Sequence, residues 1–164
     1  MLRKLATTAA SARFDSLQPL RSAGAWSPDG RRFAFAAVRQ GQATLMLLDM
    51  GVEGGGREIA FESLGQILSP TWSPDGNVIA FSALAGGLTD LYAYDLRNQR
   101  LRQLTDDAFA DLQPAWSHDG RSIAFVTERY SSDLRALQFG RPRLAILDVK
   151  TGSVRPAVAT PSKP

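Results

Sequence analysis

A tight turn is encoded by Trp72-Ser73-Pro74-Asp75-Gly76, and two further turns of the same kind are encoded elsewhere in the chain. One begins at Trp26 with identical residues, and the other begins at Trp116 with His118 in place of the proline. The three tryptophans are 46 and then 44 residues apart. An Ala-Phe pair follows each of them at the same distance: Ala34-Phe35, Ala80-Phe81 and Ala124-Phe125. A period of this length indicates a repeat architecture.

Three residues of the pentapeptide have a local role in forming the turn. Pro74 presets the backbone dihedral of the first corner, Gly76 accepts a positive φ at the end, and Asp75 caps nearby amides. His118 is tolerated in the third turn at a cost of about 0.5 kcal/mol in preorganisation. The repeat signature therefore comprises Trp26, Asp29, Gly30, Trp72, Asp75, Gly76, Trp116, Asp119 and Gly120.

Each repeat unit reads as four short strands. The first ends at the tryptophan (about 22–26, 68–72 and 112–116), and the second carries the Ala-Phe pair (about 32–38, 78–84 and 122–128). The third ends in an aspartate (44–49, 90–95 and 143–148), and the fourth follows at 57–61, 101–105 and 154–159. Four strands per unit are typical of a propeller blade. A solenoid is the alternative, but the units are long for a β-helix rung and contain no helix for a leucine-rich repeat.

The expected fold is all-β: a partial β-propeller of three four-stranded antiparallel blades that forms an open arc. Its predicted parts are a linker or short helix (1–21), three blades (22–61, 62–105 and 106–159) and a tail (160–164). A six-blade ring needs roughly 270 residues, so this chain of 164 residues is not expected to close. Its terminal blades should expose apolar faces, which favours either a larger propeller or self-association. The three signature tryptophans are expected to be buried at equivalent positions between blades.

Composition excludes several classes of function. Sixteen of the 19 basic residues are arginine, but they are scattered through the repeats and the formal net charge is only +3, so no nucleic-acid partner is expected. The absence of cysteine excludes disulfides and thiolate metal sites. No apolar run is long enough to cross a bilayer, so direct membrane insertion is not expected.

The second unit carries the most complete pattern. Pro-x-Trp-Ser-Pro-Asp-Gly-x-x-Ile-Ala-Phe is followed by Asp-Leu-Tyr-x-x-Asp-Leu and then Arg-x-Leu-Thr, over residues 69–105. This pattern resembles the TolB-like β-propeller repeat, a relative of the WD-repeat propellers, and the resemblance extends over about 22–159. It implies a periplasmic or cell-envelope setting and a scaffold that docks another protein. Similar repeats also form the propeller of prolyl-oligopeptidase-like peptidases, so a substrate-gating or regulatory propeller on a longer chain is the alternative.

No catalytic, cofactor-binding or metal-binding residue is predicted. Ser117-His118-Asp119 contains the residue types of a hydrolase triad, but neighbours within one tight turn cannot converge as a triad does. A lyase or glycosidase propeller is a further alternative, disfavoured by the scarcity of histidine and glutamate. Asp106, Asp107 and Asp111 could gather around calcium, but their spacing fits no EF-hand loop, and we interpret them as capping residues.

The predicted partner surface lies on the propeller face opposite the Trp-Ser-Pro-Asp-Gly turns. It is formed by the loops at 39–42, 62–68, 85–89, 106–111 and 129–142, the last of which is the longest. Aromatic and arginine residues are typical interface anchors. The candidate partner-binding residues are Phe109, Arg129, Tyr130, Asp133, Leu134, Arg135, Leu137 and Phe139, with Ile67 and Arg141 beside them. In the alternative, Leu134, Leu137 and Phe139 fold down onto the outer edge of the third blade.

Overall fold

A computed structural model describes residues 16–17, 24–52 and 54–158, and it consists of three antiparallel sheets. The first sheet contains β1 (Ser16–Leu17), β2 (Ala25–Trp26), β3 (Arg32–Arg39), β4 (Gln42–Asp49) and β5 (Gly56–Phe61). The second contains β6 (Gln66–Trp72), β7 (Val78–Ala85), β8 (Leu88–Asp95) and β9 (Arg100–Gln103). The third contains β10 (Asp111–Trp116), β11 (Ser122–Thr127), β12 (Arg143–Asp148) and β13 (Val154–Pro156). Nowhere in these ranges is there a helix able to span a membrane.

The strands follow the chain order within each sheet. The second sheet runs β6-β7-β8-β9 and the third runs β10-β11-β12-β13, while β1 and β2 both pair with β3 at the position that β6 and β10 hold. The first blade therefore extends to Ser16–Leu17, within the segment for which we predicted a linker or short helix. The predicted fold class is confirmed, since the three four-stranded blades form an arc that does not close.

The apolar core lies between the sheets. Leu45, Ile59 and Phe61 of the first sheet are buried in one cluster with residues of the second, including Ile79 and Phe81. A second cluster joins Ala80 and Leu91 of the second sheet to four residues of the third: Ile123, Phe125, Ala145 and Leu147. The second sheet buries both of its faces, one against each neighbouring sheet, and its strands therefore show imperfect alternation of apolar and polar residues.

The innermost strands of the second and third blades contain a bulge. The register of β6 on β7 shifts between Leu68 and Thr71, and that of β10 on β11 shifts between Leu112 and Ala115. Ser69 and Gln113 adopt positive φ of 49° and 54° there, each before a proline. Proline has no amide hydrogen to donate to the ladder. It is therefore compatible with a strand at a bulge, where one residue is left unpaired.

The three tryptophans do not share one environment, so that prediction is wrong for Trp26. Trp72 is 6% exposed, donates from Nε1 to the Ala25 carbonyl oxygen at 3.0 Å, and packs under the Arg32 guanidinium. Trp116 is partly buried against the core between the second and third sheets. Trp26 is 54% exposed. Each buried tryptophan packs on the preceding sheet, and no sheet precedes Trp26 in the part of the chain that the structure describes.

The third blade exposes the face that would pack against a following blade. Leu144 is 49% exposed, whereas Leu45 and Leu91 at the same repeat position are fully buried by the following blade. On the opposite end of the arc, Phe35 and Met46 are buried within a small cluster beside the exposed Trp26. An exposed apolar end face is therefore present at Leu144, whereas on the first blade Trp26 is exposed but Phe35 and Met46 are covered.

Candidate functional site

The Trp-Ser-Pro-Asp-Gly turns form the first of the two loop faces, and they are held by one repeated hydrogen-bond pattern. In the second blade Ser73 Oγ donates to Asp75 Oδ1 at 2.6 Å and accepts from the Val78 amide at 2.9 Å. The Gly76 amide donates to the Ser73 carbonyl oxygen, and Gly76 has a positive φ of 69°. The Ser73 hydroxyl and the Asn77 side chain lower the pKa of Asp75, which therefore stays charged as a turn cap.

The Ser117-His118-Asp119 segment forms the third of these turns. Ser117 Oγ donates directly to Asp119 Oδ1 at 2.7 Å and accepts from the Ser122 amide at 2.9 Å, as Ser73 does in its own turn. His118 is exposed beside them. A triad requires a histidine between the serine and the carboxylate. The arrangement is that of a capped turn.

The opposite face carries the long loop between β11 and β12, and Arg129 holds the base of this loop. Its Nη2 contacts Asp111 Oδ2 at 2.5 Å and Asp107 Oδ2 at 2.9 Å, and its guanidinium lies 5.4 Å from the centre of the Phe125 ring. The side chain is only 12% exposed. Arg129 was predicted as a partner-binding residue, but its charged group is committed to contacts within the blade.

Asp111 is the buried member of this ion pair. It is fully buried, and its Oδ1 accepts no hydrogen bond from the described residues. Burial raises the pKa of Asp111, although the Thr127 hydroxyl and Arg129 oppose that effect. Burial also raises the pKa of nearby Asp90, assisted by the negative charge of Asp111.

The contacts of Asp106, Asp107 and Asp111 do not support a calcium site. Asp107 and Asp111 share the Arg129 cation, while Asp106 is exposed. Within the described ranges, no three histidine, aspartate or glutamate side chains are grouped as metal ligands. Asp107 also accepts from the Phe109 amide at 2.9 Å, which is the capping role expected of this loop.

The long loop itself is shaped by local hydrogen bonds. Asp133 and Gln138 exchange two backbone bonds of 2.8 and 2.9 Å, and Asp133 Oδ1 accepts from the amides of Arg135 and Ala136. Further along, Ser131 Oγ donates to the Arg141 carbonyl oxygen at 2.6 Å. These contacts close residues 131–141, hereafter the tip loop, into a defined turn rather than an open chain.

The tip loop exposes two large apolar side chains. Leu137 is 75% and Phe139 is 70% exposed, and neither folds down onto the third blade, contrary to the alternative that we considered. Leu137 also adopts a positive φ of 52°, an unusual conformation for a bulky residue other than glycine. Arg135 and Arg141 are exposed in the same loop, and Leu134 is partly buried. The structure thus brings Leu137, Phe139 and two arginines together on one projecting loop.

The remaining candidates are less accessible than the sequence suggested. Tyr130 is partly buried and packs against the core between the second and third sheets, and Phe109 is also partly buried. Ile67 is only 2% exposed, because it lies within β6 opposite Ala83 and faces the first sheet. Its placement on the loop face was wrong, since β6 begins earlier than the predicted strand.

One signal for the anchoring role of Arg129 was present in the sequence. Arg39 stands the same 13 residues after Trp26 as Arg129 does after Trp116. Arg39 likewise forms an ion pair within its own blade, with Glu58. An arginine that recurs at this position in two of the three units, with Ala85 in the second, indicates a structural role within the blade.

Comparison with known proteins identifies relatives of this arrangement. The family model of the TolB β-propeller domain matches residues 5–159. A protein named TolB homolog from Chlorobium luteolum is 32% identical over 131 residues, which are 80% of this chain and 27% of the relative. A solved structure of a putative TolB from Agrobacterium tumefaciens is similar with a TM-score of 0.65 and 25% identity, over 80% of this chain and 46% of that one.

Propellers of proteases share the fold as well. The β-propeller domain of the Trilobed protease from Pyrococcus furiosus superimposes with a TM-score of 0.58 at 17% identity, over 81% of this chain and 40% of that domain. An identity this low shows similarity of fold alone. In all of these comparisons the chain spans less than half of the relative.

Proposed function

The chain belongs to the TolB β-propeller domain family, and from that membership we propose that it is a non-catalytic scaffold module that binds a protein partner. The tip loop is the proposed contact surface. The setting that we propose is the bacterial periplasm or cell envelope, in keeping with the family resemblance of the repeat.

The exposure of Leu137 and Phe139 on a hydrogen-bonded loop is the observation that supports this proposal. Large apolar side chains held outward lose little conformational entropy on binding, because the loop is already ordered. Exposed Arg135 and Arg141 flank them, and a mixture of aromatic and arginine side chains is characteristic of interface hot spots. The ion pair of Arg129 with Asp111 supports the base of the loop without taking part in the contact.

Site-specific photocrosslinking tests this surface directly. A photoreactive amino acid at position 137 should yield a discrete protein adduct in envelope extract, and Phe139→Ser should abolish that adduct if Phe139 is an anchor. The same photoreactive group at position 52 is the control, because Val52 is 55% exposed on the opposite loop face. The circular dichroism of the β-sheets should be unchanged in all variants, since the altered side chains are exposed.

Two results would remove the tip loop from the proposal. One is an equal pattern of adducts from positions 137 and 52, which would indicate nonspecific encounter. The other is an adduct at position 137 that persists unchanged in Phe139→Ser and in Arg135→Ala. Either result leaves the family and fold untouched, and the partner surface would then lie on another part of the propeller.

A gating propeller of a peptidase is the second candidate function, favoured by the fold similarity to the propeller of the Trilobed protease. In that case the module contacts a hydrolase domain rather than a separate envelope protein. The photocrosslinking experiment distinguishes the two, because mass spectrometry of the adduct identifies either a hydrolase or a protein of another class.

A further inference from the structure

A cleft of about 470 Å³ opens between the first and second blades on the face that carries the Trp-Ser-Pro-Asp-Gly turns. It is remote from the tip loop, which lies on the opposite face. Three arginines from three different elements line it: Arg32 of β3, Arg57 of β5 and Arg97 of the turn between β8 and β9. Leu48 and Leu96 supply apolar wall, and Asp49 is the acidic residue of the lining.

Arg32 is held in place before any ligand arrives. Its guanidinium carbon lies 4.6 Å from the centre of the Trp72 ring, and its Nη2 donates to the Gly76 carbonyl oxygen at 3.0 Å. Stacking and one hydrogen bond fix the plane of the guanidinium, while its other donors remain available. The cleft therefore has one preorganised cation at its inner side.

Arg57 and Arg97 are both exposed at the cleft. Neither guanidinium forms an ion pair with a residue that the structure describes, although Arg97 is close enough to Asp75 and Asp95 to help lower their pKa. Those two aspartates are occupied as caps of their own turns. Asp49 is the acidic residue of the lining, and the charged Asp75 and Asp95 lie close to Arg97, so the three arginines supply guanidinium donors rather than a large net positive charge.

The matching position between the second and third blades lacks this arrangement. Arg102 and Lys150 occupy the repeat positions of Arg57 and Arg97, but Val78 stands where the first blade has Arg32. The cluster of three arginines is thus a property of one blade junction and not a consequence of the repeat. Arg102 and Lys150 consequently provide a matched control with the same number of charges.

We propose that the cleft formed by Arg32, Arg57 and Arg97 binds a small organic phosphate. A phosphate monoester carries about −1.5 to −2 charges at neutral pH and several acceptor oxygens, which are suited to the guanidinium donors that three arginines offer around one cleft. A cleft of about 470 Å³ exceeds the needs of a bare anion and falls in the size range of small-molecule sites. Leu48 and Leu96 accommodate the organic part of the ligand.

Isothermal titration with phenyl phosphate, inorganic phosphate and benzoate tests this assignment on the whole chain. We expect phenyl phosphate to bind more tightly than inorganic phosphate, because the ring adds apolar contact, and benzoate to bind weakest, because it carries one charge. Arg57→Gln with Arg97→Gln should weaken phenyl phosphate binding by about tenfold or more. Both positions are exposed, so this double variant should retain the melting temperature of the wild type.

The control is Arg102→Gln with Lys150→Gln, which removes two charges from the next blade junction. Retained phenyl phosphate affinity in this variant supports a specific site, whereas an equal loss in both double variants would show that only net charge matters. The inference is overturned by that equal loss, by the absence of measurable phenyl phosphate binding, or by equal affinity for benzoate. None of these results depends on the tip loop, so they leave the proposed scaffold function unaffected.

Discussion

A tryptophan at one repeat position contributes differently to the free energy of unfolding, depending on whether a neighbouring blade covers it. Trp72 is 6% exposed and hydrogen-bonded to the first blade, whereas Trp26 is 54% exposed and, among the described residues, its ring contacts that of Phe33 edge-on. We expect Trp72→Ala to lower the free energy of unfolding by about 3–5 kcal/mol. Trp26→Ala should lower it by a smaller amount, about 1–2 kcal/mol, since only about half of the side chain is buried. Urea unfolding followed by circular dichroism measures both.

Trp26→Ala is the control for Trp72→Ala, because both variants remove an indole from the same position of equivalent turns. Equal destabilisation by the two substitutions would contradict the packing of each tryptophan on the preceding blade. It would indicate instead that the indole acts within its own turn.

The Arg129–Asp111 pair leads to a prediction about pH. Arg129→Gln leaves the buried Asp111 carboxylate without its cation, which should cost about 3–5 kcal/mol at pH 7. The pKa of Asp111 is already raised by burial, and loss of Arg129 raises it further. A carboxyl with a raised folded pKa is most compatible with folding when protonated, so its contribution is lost as pH rises through the folded pKa. The destabilisation by Arg129→Gln should therefore be smaller at pH 4 than at pH 7.

Arg141→Gln is the matched control, because Arg141 belongs to the same region and is exposed. It should change the free energy of unfolding by no more than about 0.5 kcal/mol at either pH. A destabilisation by Arg129→Gln that is the same at both pH values would show that lost packing on Phe125, not the unpaired Asp111 charge, causes the effect.

At the scale of elements, the fold was predictable because its determinants are local and repeated. Turn residues such as Pro74 and Gly76 act within a few positions of the chain, and the spacing of Ala80-Phe81 marks the second strand directly. The environments of Trp26, Ile67 and Arg129 depend instead on contacts with residues that are distant in the sequence or belong to another blade. No local pattern records that Arg129 meets Asp111, 18 residues earlier. This is why the candidate site was only partly predictable and the arginine cleft was missed.

The third turn offers a prediction about an element. His118 stands where the equivalent turns have Pro28 and Pro74, and the Gly120 amide donates to the Ser117 carbonyl oxygen at 3.0 Å as in the other two turns. Because this backbone matches turns that contain proline, His118→Pro should raise the free energy of unfolding by about 0.4–1 kcal/mol through the unfolded state. Chemical denaturation measures the change. His118→Ala is the control, and a gain of the same size from alanine would assign the effect to loss of the imidazole.

At the scale of the whole molecule, we expect the open end of the arc to govern association. Leu144 is 49% exposed near the start of β12, whereas Leu45 and Leu91 at the same repeat position are covered by the next blade. An apolar sheet face of this kind tends to bind another apolar surface, and for the isolated chain the available surface is a second copy. We therefore expect the wild-type chain to associate with increasing concentration in sedimentation velocity. Leu144→Lys should shift that equilibrium toward the monomer, because it places a charge within the contact. Its unfolding free energy should change little, since the side chain is exposed.

Leu88→Lys is the control, as Leu88 is 43% exposed on a hairpin of the loop face and not on an end face. If both lysine variants reduce association equally, general charge repulsion is responsible, and the end face of the third blade is not the contact.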